Sequence, residues 1–143
     1  MGAGEGRAPG GSTSFLRYCL DTWAVVDWIY DFEPAASRVD SLLSQRPLMS
    51  WVNAGEVAYV VERRAGKAKA AEVVDFLRRR LALDLPTEDR VLQAATLKAT
   101  HTISYADCFA VATAIAHDAV LLTGDPDILA GDPSWPVESL RAD

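Results

Sequence analysis

Short apolar runs alternate with segments of helical spacing along most of the chain, and that alternation leaves few architectures open. Phe15 to Leu20, Leu48 to Val52, Leu81 to Leu85 and Ala119 to Thr123 have the length and composition of buried strands, and Pro136 to Leu140 fits an edge strand. Between them, helical spacing is expected at about 22–31, from Pro34 through Val39, Leu42 and Leu43, and at 53–64 and 67–80. In the last of these, Ala71, Val74 and Leu77 should face inward, with Glu72, Asp75 and Arg78 outward. Thr87 and Ser104 are natural N-caps for helices to about Lys98 and His117, and Gly124 with Pro126 stops the strand that precedes them. Strands separated by helices need crossover connections, which predicts an α/β fold with a parallel sheet covered on both faces.

A chain of 143 residues suits one domain, expected over residues 15–143. Residues 1–14 are rich in Gly, Ser, Thr and Pro, with too little apolar surface to offset ordering, and are expected to be a flexible extension. Cys19 and Cys108 sit in apolar runs without paired spacing, so they read as core residues in a reducing compartment. No apolar run reaches the ~18 residues needed to span a bilayer and no secretory leader is evident, so a cytoplasmic protein is expected. A formal charge of −6 argues against sequence-blind attachment to nucleic acid but not against a nuclease, because empty metal-binding carboxylates contribute to that charge.

Four carboxylates interrupt apolar sequence where acids are expensive. Asp21 and Asp125 follow strand runs, at the edge where open α/β sheets bind ligands. Glu56 lies within Trp51 to Val61, and Asp107 within the almost wholly apolar helix that Ser104 opens. Burying an ionised carboxylate costs several kcal/mol without a cationic partner, and no Lys or Arg lies within five residues of Asp107 or Asp125. A hard divalent cation, Mg²⁺ or Mn²⁺, would relieve both burial and mutual repulsion. Such an ion suits phosphodiester hydrolysis, since it makes water a nucleophile without a His or Cys.

Each acid also has a plainer role. Asp107 stands at capping-box spacing from Ser104, Asp21 and Asp125 fit N-caps or turns, and Glu56 fits a partly exposed helix position. Thr22 and Thr123 fit either packing or the orientation of a carboxylate or water. Arg63, Arg64, Lys67, Lys69, Arg78, Arg79 and Arg80 fit a solvated face or a phosphate-tracking surface, and Trp23, Trp28, Trp51 and Tyr59 fit core or dimer surface. His101 and His117 read as capping or surface residues.

The segments Leu20-Asp-Thr-Trp-Ala-Val, Asn53-Ala-Gly-Glu-Val, Ser104-Tyr-Ala-Asp-Cys-Phe-Ala-Val and Leu121-Leu-Thr-Gly-Asp-Pro-Asp resemble, in order and separation, the four motif blocks of PIN-domain proteins. The short length is similar to the VapC-type toxins of VapBC toxin–antitoxin pairs. The resemblance implies a three-layer α/β/α sandwich with a parallel sheet of about five strands. It also implies a Mg²⁺- or Mn²⁺-dependent endoribonuclease acting on RNA, a homodimer, and a cognate VapB-type antitoxin that silences it. Carried over by position, Asp21, Glu56, Asp107 and Asp125 are the catalytic acids. Asp21, Asp107 and Asp125 are the metal ligands, with Thr22, Thr123 and Asp127 auxiliary.

Two other functions compete. A haloacid-dehalogenase-like phosphatase needs a second Asp two residues after the first, where Trp23 stands. A non-catalytic PIN-like module that binds RNA or protein would keep the acids only for capping.

Overall fold

The computed structural model describes residues 16–131 and 135–142. The expected extension at 1–14 lies outside the described residues. Five strands, β1 (Arg17–Leu20), β2 (Leu48–Ser50), β3 (Ala82–Asp84), β4 (Ala119–Thr123) and β5 (Val137–Ser139), form one sheet in the order β3-β2-β1-β4-β5. Every neighbouring pair is parallel, as the crossover argument requires, with Leu20 opposite Leu122 and Leu121 opposite Val137.

The helices are α1 (Thr22–Ile29), α2 (Ala35–Leu42), α3 (Trp51–Ala65), α4 (Lys67–Arg80), α5 (Glu88–Thr100), α6 (Tyr105–Ala116) and α7 (Pro126–Leu129). Alternate strand residues enter different cores, because successive side chains in a strand point to opposite faces. Leu20, Met49 and Leu122 pack with α1 to α4, against Val25, Val39, Val57 and Leu77. Cys19, Leu48 and Leu121 pack on the other face with Ala94, Cys108, Val111 and Ile128 from α5, α6 and α7. The three-layer sandwich follows from this alternation. Both cysteines are free and buried, in keeping with their reading as core residues.

Helix ends sit where capping chemistry puts them. The hydroxyls of Thr87 and Ser104 accept the backbone N–H groups of Arg90 and Asp107 at 3.2 and 3.1 Å. The expected strand through Val52 stops two residues early. Ser50 is both the last residue of β2 and the N-cap of α3, accepting Val52 N–H at 3.2 Å. The inward face of α4 is Ala70, Val73 and Leu77 rather than Ala71, Val74 and Leu77. Both sets lie on one wide apolar stripe, and packing against Ala54, Val57 and Val61 of α3 selects its edge. Between α3 and α4 the chain turns on Gly66, whose φ of +92° is costly for residues with a Cβ.

His117 ends α6 and reaches Asp84 of β3, with Nε2 3.2 Å from Oδ1. Arg90 holds the other Asp84 oxygen and lies 3.3 Å from the Thr113 hydroxyl, joining α5, α6 and the sheet edge in one largely buried ionic cluster. Among the described residues, no helix is long and apolar enough to cross a membrane.

The strand order decides where a site can form. From β1 the chain winds outward through β2 and β3, then returns to the other side of β1 for β4 and β5. The crossovers therefore diverge between β1 and β4 and leave a crevice at the carboxyl ends of those strands. Asp21 and Asp125 are the residues the chain places there.

Candidate active site

Asp21 leaves β1 and caps α1. Its Oδ1 accepts Ala24 N–H at 2.8 Å and its Oδ2 accepts the Thr123 hydroxyl, leaving the side chain 1% exposed. Thr123, the last residue of β4, is itself fully buried and accepts Asp125 N–H at 3.0 Å. One hydroxyl thus ties together the two acids at the divergence of the crossovers. Asp125 in turn caps α7 by accepting Asp127 N–H at 2.8 Å. Gly124 lets this turn lie against the Trp23 indole, where a Cβ would overlap the ring.

Glu56 approaches from α3. The Thr22 hydroxyl donates to its Oε1, Asn53 Nδ2 lies 3.5 Å from the same oxygen, and Tyr59 Oη is 3.4 Å from Oε2. Asn53 Nδ2 also donates to the Ala106 carbonyl at 3.0 Å, which joins α3 to the first turn of α6 beside Asp107. Thr22 therefore fixes Glu56, while Thr123 lies under the floor and fixes Asp21.

These groups surround one open cleft of about 740 Å³, whose walls include Asp21, Thr22, Glu56, Asp107, Asp125 and Asp127. All four expected acids reach it, as do Thr22 and Asp127; Thr123 supports it from below. Sequence reasoning missed Asp27 and Lys98, which also line the cleft, and named Arg64, a third lining residue, only among the basic residues of a solvated or phosphate-tracking face. Lys98 comes from α5 and donates from Nζ to the Ile103 carbonyl at 3.0 Å. It also missed Asn53, whose signal was available: an amide on the buried face of an apolar helix, with its Oδ1 lacking a hydrogen-bond partner among the described residues.

The cleft is electrostatically strained. Burial pushes the Asp21 carboxyl up to about 7, opposed by the hydrogen bonds from Thr123 and Ala24 and reinforced by the Asp107 and Asp125 charges. Burial likewise raises Asp107 to about 6, opposed by Ser104 and reinforced by Asp125 and Glu56. Burial raises Asp27 too, against the lowering influence of Arg64.

Six carboxylates against the two cations Arg64 and Lys98 leave the cleft with surplus negative charge on oxygen donors, which suits a hard divalent cation. Among the described residues, no three His, Cys, Asp or Glu side chains are arranged to hold a metal ion together. An open arrangement of carboxylates suits an ion that holds one or two of them and keeps much of its water.

A parallel sheet in this order, with acids gathered at its divergence point, defines a class of α/β proteins with an anionic cleft at the sheet edge. The PIN-domain profile matches residues 18–132, and the chain belongs to that family. Several solved structures share the fold. A DNA-bound VapBC complex from Salmonella typhimurium superposes with a TM-score of 0.72 at 17% identity, covering 89% of this chain and all 100% of that one. VapBC-1 from nontypeable Haemophilus influenzae gives 0.68 at 22% identity, covering 87% and 98%. Mycobacterium tuberculosis VapC20, described as a toxin that cleaves the sarcin-ricin loop, gives 0.65 at 19% identity, covering 79% and 93%. No curated protein shows significant sequence similarity to the chain.

Proposed function

We propose that the protein is a VapC-type endoribonuclease toxin that hydrolyses RNA phosphodiester bonds with Mg²⁺ or Mn²⁺ and is silenced by a cognate VapB-type antitoxin. The observation that carries this reading is the convergence of Asp21, Glu56, Asp107 and Asp125, from four separate segments, on one open cleft, where none of them forms a salt bridge among the described residues. Asp21, Asp107 and Asp125 are the carboxylates available to the ion, one or two bound directly and the rest through its water, with Asp127 at the rim. When bound, the ion supplies Lewis acidity that activates water and offsets charge on the scissile phosphate. Glu56, held by Thr22, Asn53 and Tyr59, would orient the attacking water and take its proton. Thr123 keeps Asp21 aimed into the cleft. The names of the solved neighbours support the choice: several are VapBC complexes and one is a sarcin-ricin-loop-cleaving toxin. An antitoxin that presents a basic side chain to these acids would neutralise them, and pairing of two protomers is part of the same reading.

A second reading rests on a specific observation. Asp21 and Asp125 each accept a helix-capping hydrogen bond, and Asp107 occupies the capped first turn of α6. These acids would also be retained in a PIN-like module that binds RNA or protein without cutting.

Cleavage of total cellular RNA by purified protein separates the two. Discrete fragments that require Mg²⁺ or Mn²⁺, vanish with EDTA and are absent for Asp107→Asn are expected. A folded wild-type protein that binds the metal and leaves every RNA intact would favour the binding module.

A further inference from the structure

The cleft continues onto a surface that the nuclease reading does not use. Seven of the fourteen Lys and Arg residues fall between 63 and 80, although the chain carries a net charge of −6. Two of these seven are tied to acids on their own helix, Lys69 to Glu72 at 3.5 Å and Arg78 to Asp75 at 2.6 Å. Arg63 and Arg64 form no salt bridge among the described residues. They lie instead over aromatic rings: Arg63 is 5.0 Å from the Tyr59 centroid and Arg64 is 4.7 Å from that of Tyr30.

Their position relative to the acids is set by helix geometry. Glu56, Tyr59 and Arg63 stand at i, i+3 and i+7 on α3 and so share one face. Val60 and Arg64, also four apart, line the cleft itself. Tyr59 is 46% exposed, and its hydroxyl lies 3.4 Å from Glu56 Oε2. An exposed ring with a guanidinium on it therefore begins at the acid and leads away from the cleft.

We propose that this face of α3 is a track for single-stranded nucleic acid, with Tyr59 and Arg63 stacking a base and Arg64 meeting the phosphate next to the acidic floor. On the nuclease reading, on which the assignment rests, the strand is RNA flanking the scissile bond. The chemistry favours a single strand over a duplex. Aromatic rings and guanidinium planes stack on unpaired bases, whereas a duplex offers such groups mainly phosphates. It also explains how an acidic protein holds a polyanion: repulsion from the floor is offset locally by cations fixed beside it.

Fluorescence anisotropy tests this with a labelled single-stranded oligoribonucleotide about a dozen nucleotides long, near the upper site sizes of single-strand binders. The protein is the full chain in an Asp107→Asn background with Mg²⁺, so binding is read whether or not the cleft is catalytic. Arg63→Ala and Tyr59→Ala should each weaken binding roughly tenfold, with unchanged melting curves. Arg64→Ala should reduce the slope of log affinity against log salt by about 0.7, the value for one phosphate contact on a single strand. Arg79→Ala removes the same charge beside a different cleft, that of Trp28 and Phe76, and should leave affinity within about twofold.

Equal losses for Arg63→Ala and Arg79→Ala would reduce the effect to diffuse charge and overturn the track. So would an unchanged affinity in all variants, or a loss confined to a polyglutamate peptide, which would mark the face as a site for an acidic protein. Failure of the nuclease reading looks different: the wild type binds the oligonucleotide through these residues but never cuts it with Mg²⁺ or Mn²⁺.

Discussion

In EDTA this protein should be more stable in mild acid than at neutral pH, and the size of the effect can be worked from Asp21. Its carboxyl rises from 3.8 to about 7 in the folded protein, chiefly through burial. The folded state therefore retains a proton through a range where the unfolded chain, with a carboxyl near 3.9, has lost it. Folding stability is fully present below the unfolded value and falls as pH rises toward 7, because the native state binds more protons across that window. At 1.36 kcal/mol per pKa unit the ceiling is on the order of 4 kcal/mol. For a domain of this size that corresponds to a fall in Tm of roughly 10 °C between pH 4 and 7.5. Asp107 acts in the same direction but is only half-buried, so solvent screening reduces its share.

The assay is thermal unfolding in EDTA across that pH range, for wild type and Asp21→Asn. An Asn at 21 keeps an oxygen for Ala24 N–H but meets Thr123 with an NH₂ group, a mismatch worth about 1 kcal/mol and independent of pH. The slope, not the absolute Tm, is thus the informative quantity: steep and falling in wild type, flatter in the variant. Saturating Mg²⁺ should reverse the wild-type slope, because the ion competes with the protons. Parallel curves for the two proteins in EDTA would refute the argument that Asp21 is held neutral by its surroundings.

Three further outcomes follow from individual contacts. Thr123→Val removes the hydroxyl that serves both Asp21 and Asp125 and should cost about 1–3 kcal/mol in chemical denaturation and lower RNA cleavage sharply, with Thr123→Ser restoring both. Arg90→Ala leaves Asp84 largely buried with only His117 for company and should lower urea stability by about 3 kcal/mol while sparing cleavage, because the cluster lies away from the acidic cleft. Gly124→Ala forces the Trp23 indole out of its place and should destabilise the fold by about 1–3 kcal/mol, with a shift in Trp fluorescence reporting the displacement.

The acids were legible because each breaks a local rule. A carboxylate at the end of an apolar strand, or inside a helix apolar all round, is visible without knowing what lies across the fold. Lys98 and Arg64 break no such rule: a basic residue near a helix end is ordinary, and only the packing of α5 and α3 around the sheet brings both to the cleft. Asn53 shows the middle case, since an amide among buried positions is unusual but its partner, the Ala106 carbonyl, lies 53 residues away. Boundaries failed where two signals overlapped. Trp51 and Val52 extend an apolar run that reads as strand, yet the Ser50 cap turns them into helix. The four-residue α7 has too few residues for periodicity to appear.

On the proposed nuclease reading the same acids cap helices and hold an ion, and the energy of capping sets how much of their charge is left to balance. The N-termini of α1 and α6 adjoin the cleft, and each offers a partial positive charge to a nearby carboxylate. Such a charge contributes about 0.3–1 kcal/mol, up to roughly 2 in buried geometry. That falls short of the roughly 4 kcal/mol implied by the Asp21 shift, which persists with its Ala24 and Thr123 hydrogen bonds already in place. The caps aim the carboxylates but leave their charge incompletely balanced. In mild acid a proton supplies the remainder, and as pH rises past about 7 that proton is lost unless a cation takes its place. On the proposed metal-dependent reading, a divalent ion at Asp21, Asp107 and Asp125 should raise Tm at pH 7.5 far more than at pH 5. A Tm indifferent to Mg²⁺ and Mn²⁺ at both pH values would leave these acids with helix capping as their whole role.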